Sequence, residues 1–463
     1  MSGRVRVVKG RAGGEGAKKA RVVSAARRAA FEILRRVEDE GAFAAPLLAH
    51  LTAELRADDR ALCYELVLGC LRRQLWLDAL VAHYAARGAE TLDAPIRRAL
   101  RLGLYQLRFL SRIPARAAVN ESVNLAHLLK LRSAAPFINA VLRRATREPD
   151  YDPAADIADP LTRLAVETSH PVWLVARWVE AFGMEETAGL AHANNESAPV
   201  AFRVNTLHAE AATALDKLRA AGLEPQPSAV APGAWRVEGG AHASLRALAA
   251  EGVVYMQDEA SQLVAHIVGA RAGERILDAC AAPGSKTTHI AALSDDRALI
   301  LAGDLHEHRL RVVEETAARL GARSLQTLVL DAETPLPFAA ETFDRVLVDA
   351  PCTGTGTLRH NPEIRWRITP ADIRELSARQ GLILSNCAGA VRRGGRLVYS
   401  TCSVEPEENE SVVMRFLSER ADFRQVAAAS APPELLNASG AARTWPHRQD
   451  TDGFFVAAFE RVV

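Results

Sequence analysis

No stretch of this 463-residue chain is apolar for long enough to cross a bilayer, and its first residues lack the hydrophobic segment of a secretion signal. The expectation is a cytoplasmic protein with no membrane partner. Cysteine is scarce: six residues, none paired at close spacing, which points to reduced thiols rather than a disulfide framework. Cys-x-x-Cys pairs and histidine-rich clusters are absent, so no metal is expected. Excess charge is missing as well, since a net charge of +1 gives no global basic field that would announce a nucleic-acid partner. Neither Gly-x-Gly-x-x-Gly nor a Walker-type lysine and serine pattern occurs, which removes the strongest signals for dinucleotides and nucleoside triphosphates.

The charge that is present is uneven. Residues 1–28 hold nine Lys or Arg against the single Glu15, and the segment 1–23 is expected to be a basic flexible arm, either touching phosphates or simply solvated. Residues 24–150 carry a helical pattern with very few strand signals. Between Ile96 and Leu110, for example, Ile96, Leu100, Leu104 and Leu107 recur at helical spacing. Arg97, Arg98, Arg101 and Arg108 fall mostly elsewhere on the wheel, which predicts an amphipathic helix with a solvated or RNA-contacting arginine face. Cys63 and Cys70, seven apart on one side of another helix, are expected to be small core residues.

Residues 151–257 alternate short strand-like and helical pieces: a strand over Val200–Asn205, a helix over Ala211–Ala221 and a strand over Gly233–Val237. A linker and small α+β subdomain follow from that alternation. Arg203 and Asn205 fit either RNA contact or pairing with backbone. From residue 258 to 463, strand, turn and helix repeat in the order of a doubly wound sheet, whose ligands bind at the carboxyl ends of the strands. A strand over Arg275–Ala279 leads directly into the turn Ala281-Ala282-Pro283-Gly284-Ser285-Lys286, and a helix then begins. Asp304, Asp331 and Asp349 end the next three predicted strands. Cys352 and Cys402 each follow a strand end on that same side, whereas Cys280 and Cys387 fit the ordinary fate of a buried apolar thiol.

These segments resemble the RNA cytosine-carbon-5 methyltransferases. Leu277-Asp278-Ala279-Cys280-Ala281-Ala282-Pro283-Gly284-Ser285-Lys286 is similar to that family's S-adenosylmethionine loop, with Ser285 where many members carry a second glycine. Asp349-Ala350-Pro351-Cys352-Thr353-Gly354-Thr355-Gly356 is similar to its first cysteine motif. Tyr399-Ser400-Thr401-Cys402-Ser403, followed by Glu405 to Glu410, is similar to its nucleophile motif, and Thr451-Asp452-Gly453-Phe454-Phe455-Val456-Ala457 to its closing strand. In the helical part, Leu102–Leu107, Ala118–Val123 and Phe137–Arg144 resemble the NusB-type RNA-binding domain. The combination of the two resembles the bacterial members that modify 16S ribosomal RNA.

The resemblance implies a Rossmann-like α/β methyltransferase domain preceded by an all-α NusB-like domain and a small α+β subdomain. It further implies an enzyme, with S-adenosylmethionine held by Cys280, Ala281, Ala282, Pro283, Gly284, Ser285, Lys286, Asp304, Asp331 and Asp349. Asp304 would accept from the ribose hydroxyls, Asp331 from the adenine amino group, and Asp349 from the amino group of either cofactor or cytosine. Carbon 5 of cytosine is too weak a nucleophile to attack a methyl sulfonium unaided, so a thiolate must first add to carbon 6. A base must afterwards remove the carbon 5 proton. Spacing does not decide which cysteine attacks; the resemblance implies Cys402, with Cys352 assisting release.

The target base must be unpaired or extruded, because a stacked duplex hides its carbon 5 and carbon 6 edge. Arg359, His360, Arg365 and Trp366, just beyond Cys352, combine charge with an aromatic face as a single-strand binding loop would. The expected partner is 16S rRNA and the expected state a monomer. Transfer RNA or another ribosomal RNA is the alternative substrate, and a catalytically inert NusB-like RNA-binding factor the alternative function. Amino-group methylation would call for an Asp/Asn-Pro-Pro-aromatic motif, which Asp349-Ala350-Pro351-Cys352 does not supply.

Overall fold

The computed structural model describes residues 23–239 and 243–462, so the basic arm expected over 1–23 lies almost entirely outside the described residues. The chain divides into two compact units, one made chiefly of residues up to 152 and the other chiefly of residues 153–463. Among the described residues no helix is long and apolar enough to cross a membrane.

The first unit is helical. Its centre is the helix Ala94–Phe109, which packs against Ala25–Asp39, Ala115–Leu128 and Ala135–Arg147. Every residue from Arg98 to Gln106 of that helix is buried, so this stretch, with Arg98 and Arg101, is enclosed on all sides. The expected arginine face is thereby corrected. Arg98 donates to Glu38 at 3.2 Å and Asp39 at 2.7 Å, while Arg101 donates to both oxygens of Asp78 at 2.7 and 2.5 Å and to Glu38 at 3.2 Å. Carboxylates from two neighbouring helices thus satisfy guanidinium groups that a single-helix wheel assigns to solvent or RNA. Cys63 and Cys70 are buried core residues, as expected.

The second unit holds two sheets. The smaller has strands β1 (Val200–Val204), β2 (Gln226–Pro227), β3 (Ala234–Val237) and β4 (Val254–Met256), antiparallel in the order β2-β3-β1-β4. The helices Ala211–Ala220 and Ala243–Ala250 supply Ala214, Leu215, Leu218 and Leu245 to a core with Phe202, Val237 and Val254. Arg203 and Asn205 prove to be internal ties. Arg203 donates to Gln257 and Thr288, and Asn205 donates to the carbonyls of Gly252 and Leu320 at 2.9 and 2.8 Å.

The larger sheet contains β5 (Arg275–Asp278), β6 (Leu299–Asp304), β7 (Leu325–Val329), β8 (Phe343–Asp349), β9 (Val391–Thr401), β10 (Phe423–Val426), β11 (Ala442–Arg443) and β12 (Phe455–Arg461). Its order is β10-β12-β9-β8-β5-β6-β7, with β11 on β12; β7 to β9 run parallel and β10 to β12 pair antiparallel. Alternate residues of each central strand enter different cores. Ile276, Leu347 and Val398 pack on one face, whereas Leu277, Val346, Val348, Leu397 and Tyr399 pack on the other. Burial of both faces explains the continuous apolar runs of these strands. Between β5 and β8 the order of connection reverses, which opens the crevice where open α/β sheets place ligands.

Candidate active site

Strand register brings the two expected cysteines together. Asp349 of β8 lies opposite Ser400 of β9, and both chains then turn outward, the Ala350 N–H donating to the Ser400 carbonyl at 2.9 Å. Cys352 and Cys402 emerge side by side with their sulfurs 3.3 Å apart. Sharing of a hydrogen with Cys402, and then burial, holds the Cys352 thiol well above its ordinary value.

The Asp349 carboxylate beside them has both oxygens engaged. Lys286 Nζ lies 2.7 Å from Oδ2, and the Ser400 hydroxyl donates to Oδ1 at 2.8 Å. Burial works to lower the Lys286 ammonium, but the attraction of Asp349 outweighs it and leaves that group above its ordinary value. Lys286 starts from the helix Ser285–Leu293, which the turn after β5 aims at the strand ends. Gly284 makes the turn possible: its φ is +99°, and an added Cβ would lie 3.1 Å from the Val313 backbone.

A cleft of about 290 Å³ opens at the strand ends. Among its walls are Cys280, Ala282, Asp304, Asp331, Asp349, Cys352 and Cys402, all expected site residues. Ala281, Pro283, Gly284, Ser285 and Lys286 shape the turn without forming the wall; Ala281 is packed among Ala302, Leu310 and Val313. Asp304 accepts from the His306 N–H at 3.1 Å and faces Arg309 at 3.3 Å, and Asp331 accepts from the Glu333 N–H at 3.0 Å. Cys280, expected to be a buried thiol, is only partly covered and lies on the cleft wall, while Cys387 is fully buried as expected.

Two buried carboxyl groups lie inside the quoted motifs but are given no role there. Glu408 accepts from the Thr353 N–H at 2.9 Å, the Thr353 hydroxyl at 2.5 Å, Gln380 at 2.9 Å and the Ser403 hydroxyl, so one side chain ties the turns after both cysteines. Burial raises its pKa despite those bonds. Asp278, 1% exposed at the end of β5, accepts from Thr287 at 2.7 Å, while its other oxygen has no hydrogen-bond partner among the described residues. Burial pushes it up to about 7.

Asp278 therefore holds a proton in the folded chain at pH values where the unfolded chain releases it. Its contribution to stability is complete below the ordinary carboxyl range and is lost as pH rises to about 7, by roughly 4 kcal/mol over that interval. Asp278→Asn should flatten the dependence of stability on pH between about 4 and 7. Urea unfolding of both proteins across that range measures it, and parallel curves would refute the assignment.

The loop expected to bind single strands is corrected. Arg359 and Arg365 are 1% and 0% exposed; Arg359 donates to the Ser197 carbonyl, and Arg365 to Asn195 and to the carbonyls of Ser169 and Asn194. Trp366 donates its indole N–H to a main-chain carbonyl. Only the His360 side chain, 37% exposed, keeps a substantial open face among these four charged or aromatic residues of the predicted patch.

A seven-strand path with a β7-to-β9 parallel core, antiparallel β12 beyond it, and acids at successive strand ends is the architecture of a methyltransferase-type α/β domain. Known proteins agree with it part by part. Residues 265–460 match the 16S rRNA methyltransferase RsmB/F family, residues 24–147 the NusB family, and residues 170–244 the ferredoxin-like domain of RsmF/B-like methyltransferases. A probable ribosomal RNA small subunit methyltransferase B of Bacillus subtilis (strain 168) is 36% identical, over 93% of this chain and 98% of the relative. The solved structure of PH0851 superposes with a TM-score of 0.81 at 27% identity, covering 94% of this chain and 98% of that one. A methyltransferase homolog protein from Pyrococcus horikoshii gives 0.59 at 26% identity, over 66% and 100%. The chain belongs to the RsmB/F family of ribosomal RNA methyltransferases, as a member with a NusB-like N-terminal domain.

Proposed function

We propose that this chain methylates carbon 5 of a cytosine in 16S rRNA, using S-adenosylmethionine and a covalent bond between Cys402 and carbon 6 of the base. The observation that carries the reading is the pair of thiols 3.3 Å apart at the ends of adjacent parallel strands, beside the Lys286–Asp349 pair. One sulfur must attack the ring and a second group must manage its release, and the site supplies two sulfurs within reach of one carbon–carbon bond.

The cleft suits the cofactor. Its rim carries Asp304, Asp331, Asp349 and Glu333, while the arginines beside them, Arg309 and Arg379, are engaged by Asp304 and Glu333. A wall dominated by carboxylates favours a cationic nucleoside over one bearing phosphates. Asp304 and Asp331 would hold ribose and adenine, and the turn Cys280–Lys286 the amino-acid end. S-adenosylmethionine, when bound, supplies the methyl group that carbon 5 accepts.

The neighbouring sulfur and burial hold the proton on Cys352, so Cys402, 3.3 Å away, is assigned as the sulfur that attacks. Addition at carbon 6 moves the ring electrons toward N3 and makes carbon 5 nucleophilic. Asp349, oriented by Lys286 and Ser400, accepts from the amino group of the cytosine or of the cofactor. Loss of the carbon 5 proton, to a water that the Cys352 thiol positions, restores the ring double bond as the carbon–sulfur bond breaks and the Cys402 thiolate departs.

The test is incubation of the full chain with tritiated S-adenosylmethionine and unmodified 16S rRNA or transfer RNA, followed by bisulfite sequencing. Label confined to a 16S cytosine, read as 5-methylcytosine, is the expected result. Label on transfer RNA alone, or on another atom, overturns the substrate or the chemistry.

A further inference from the structure

The catalytic proposal leaves one demand of the base unmet. When sulfur adds to carbon 6 of cytosine, negative charge develops on N3 and is shared with O2, so that edge calls for a hydrogen-bond donor. Asp349 is an acceptor and suits an amino group. Lys286 Nζ and the Ser400 hydroxyl, the donors beside it, are both directed at Asp349.

A candidate lies in the segment Thr451 to Phe454, which a backbone latch fastens to the thiol pair. The Gly453 N–H donates to the Gly356 carbonyl at 2.8 Å, and the Gly356 N–H donates to the Cys402 carbonyl at 2.9 Å. The approach is so close that a Cβ on Gly356 would lie 1.9 Å from the Gly453 oxygen. Phe454 packs in the same core as Cys402, with Lys286 Nζ 5.2 Å from its ring centre. Asp452 stands one residue before the latch, its side chain about nine-tenths buried.

The main chain of Asp452 is fully engaged: its N–H donates to Asp258 and its carbonyl accepts from Thr444. Its carboxyl is not, because among the described residues Oδ1 has no hydrogen-bond partner and His360 Nδ1 stands off at 3.9 Å. Asp258 next to it, by contrast, accepts from the Thr451 hydroxyl and from the N–H groups of Ala260 and Asp452. Burial, and then the fields of Asp258 and Cys402, push Asp452 well above the carboxylate range, with Arg359 and Lys286 opposing.

We propose that Asp452, as a carboxylic acid, donates a hydrogen bond to the N3 and O2 edge of the target cytosine while Cys402 adds to carbon 6. The assignment rests on the cytosine reading above and adds the group that takes up the charge displaced by the thiolate. A buried acid kept neutral so that it can donate is an established catalytic device. The proton stays on Asp452 throughout; only the strength of its hydrogen bond changes as N3 and O2 become more negative.

The experiment uses the full chain, wild type, Asp452→Ala and Asp452→Asn, with 16S RNA transcribed from 5-fluorocytidine triphosphate. Fluorine on carbon 5 cannot leave as a proton does, so the protein–RNA adduct accumulates and its rate of formation is read on denaturing gels. Asp452→Ala should slow adduct formation by about 100-fold, the usual effect of removing one preorganised donor. Asp452→Asn, whose amide still donates, should recover most of that loss and stand within about 10-fold of wild type. Binding of S-adenosylmethionine and the melting temperature should match in all three. The ratio of wild-type to Asp452→Asn rates should fall as pH rises, because only the acid loses its proton.

Equal losses in both variants would mean that an anion or a base is required and overturn the proposal. So would a normal rate in Asp452→Ala, a loss that follows cofactor binding or melting temperature, or a rate ratio independent of pH. If wild type itself forms no adduct, the cytosine reading falls, and this assignment with it.

Discussion

Cys402→Ala is expected to abolish methylation and to form no RNA adduct, whereas Cys352→Ala is expected to accumulate a covalent protein–RNA species that survives denaturing electrophoresis. The two outcomes differ because the sulfurs, although 3.3 Å apart, serve opposite ends of one reaction. Without Cys402 nothing adds to carbon 6, and the ring stays an unreactive aromatic; loss of a nucleophile from such a site typically lowers the rate by 10⁴-fold or more, on the order of 6 kcal/mol. Without Cys352 the addition still occurs, but departure of Cys402 lacks its helper. The Asp349–Lys286–Ser400 group is untouched in both variants, so binding of S-adenosylmethionine should be preserved and separates lost chemistry from a lost cofactor site. If Cys402→Ala traps the adduct instead, the roles of the thiols are exchanged.

Much of this site could be anticipated because its residues sit where local rules place them. Asp304, Asp349 and Cys402 lie at or just beyond strand ends, and strand ends are marked by where apolar runs stop. The turn at Gly284 is similarly legible, since the chain there requires a positive φ. What escaped depends on partners distant in sequence. Arg98 and Arg101 carry the signature of a solvated face until Glu38, Asp39 and Asp78 arrive from other helices to bury them. Arg359 and Arg365 mislead for the same reason, their acceptors lying at Ser197, Ser169, Asn194 and Asn195.

Glu408 shows the converse. Within Glu405-Pro406-Glu407-Glu408-Asn409-Glu410 nothing local separates it from its exposed-looking neighbours, and only the return of Thr353 and Gln380 to its side makes it internal. The run of acids in the motif thus conceals internal residues, Glu408 and also Glu405, which is buried against Arg177 and Trp178.

That internal position makes Glu408→Ala the second large effect. Four donors converge on this carboxyl, from Thr353 twice, Gln380 and Ser403, and the Tyr399 hydroxyl donates to its main-chain carbonyl at 2.5 Å. Truncation leaves buried donors without an acceptor, at about 1–3 kcal/mol each where no water enters. A total near 4 kcal/mol is expected, read as a fall in urea midpoint at unchanged slope. Activity should fall further than stability alone explains, because Thr353 follows Cys352 and Ser403 follows Cys402: the carboxyl fixes the spacing of the sulfurs through their next neighbours. Glu408→Gln separates the two effects. Burial raises the carboxyl's pKa, and an amide can donate to a hydroxyl as a protonated acid does, so this variant should lose only about 1–2 kcal/mol. It should also keep measurable methylation where Glu408→Ala, assayed at a temperature at which it remains folded, falls by about 100-fold. Equal activity in the two variants would show that the turns hold their spacing without this carboxyl.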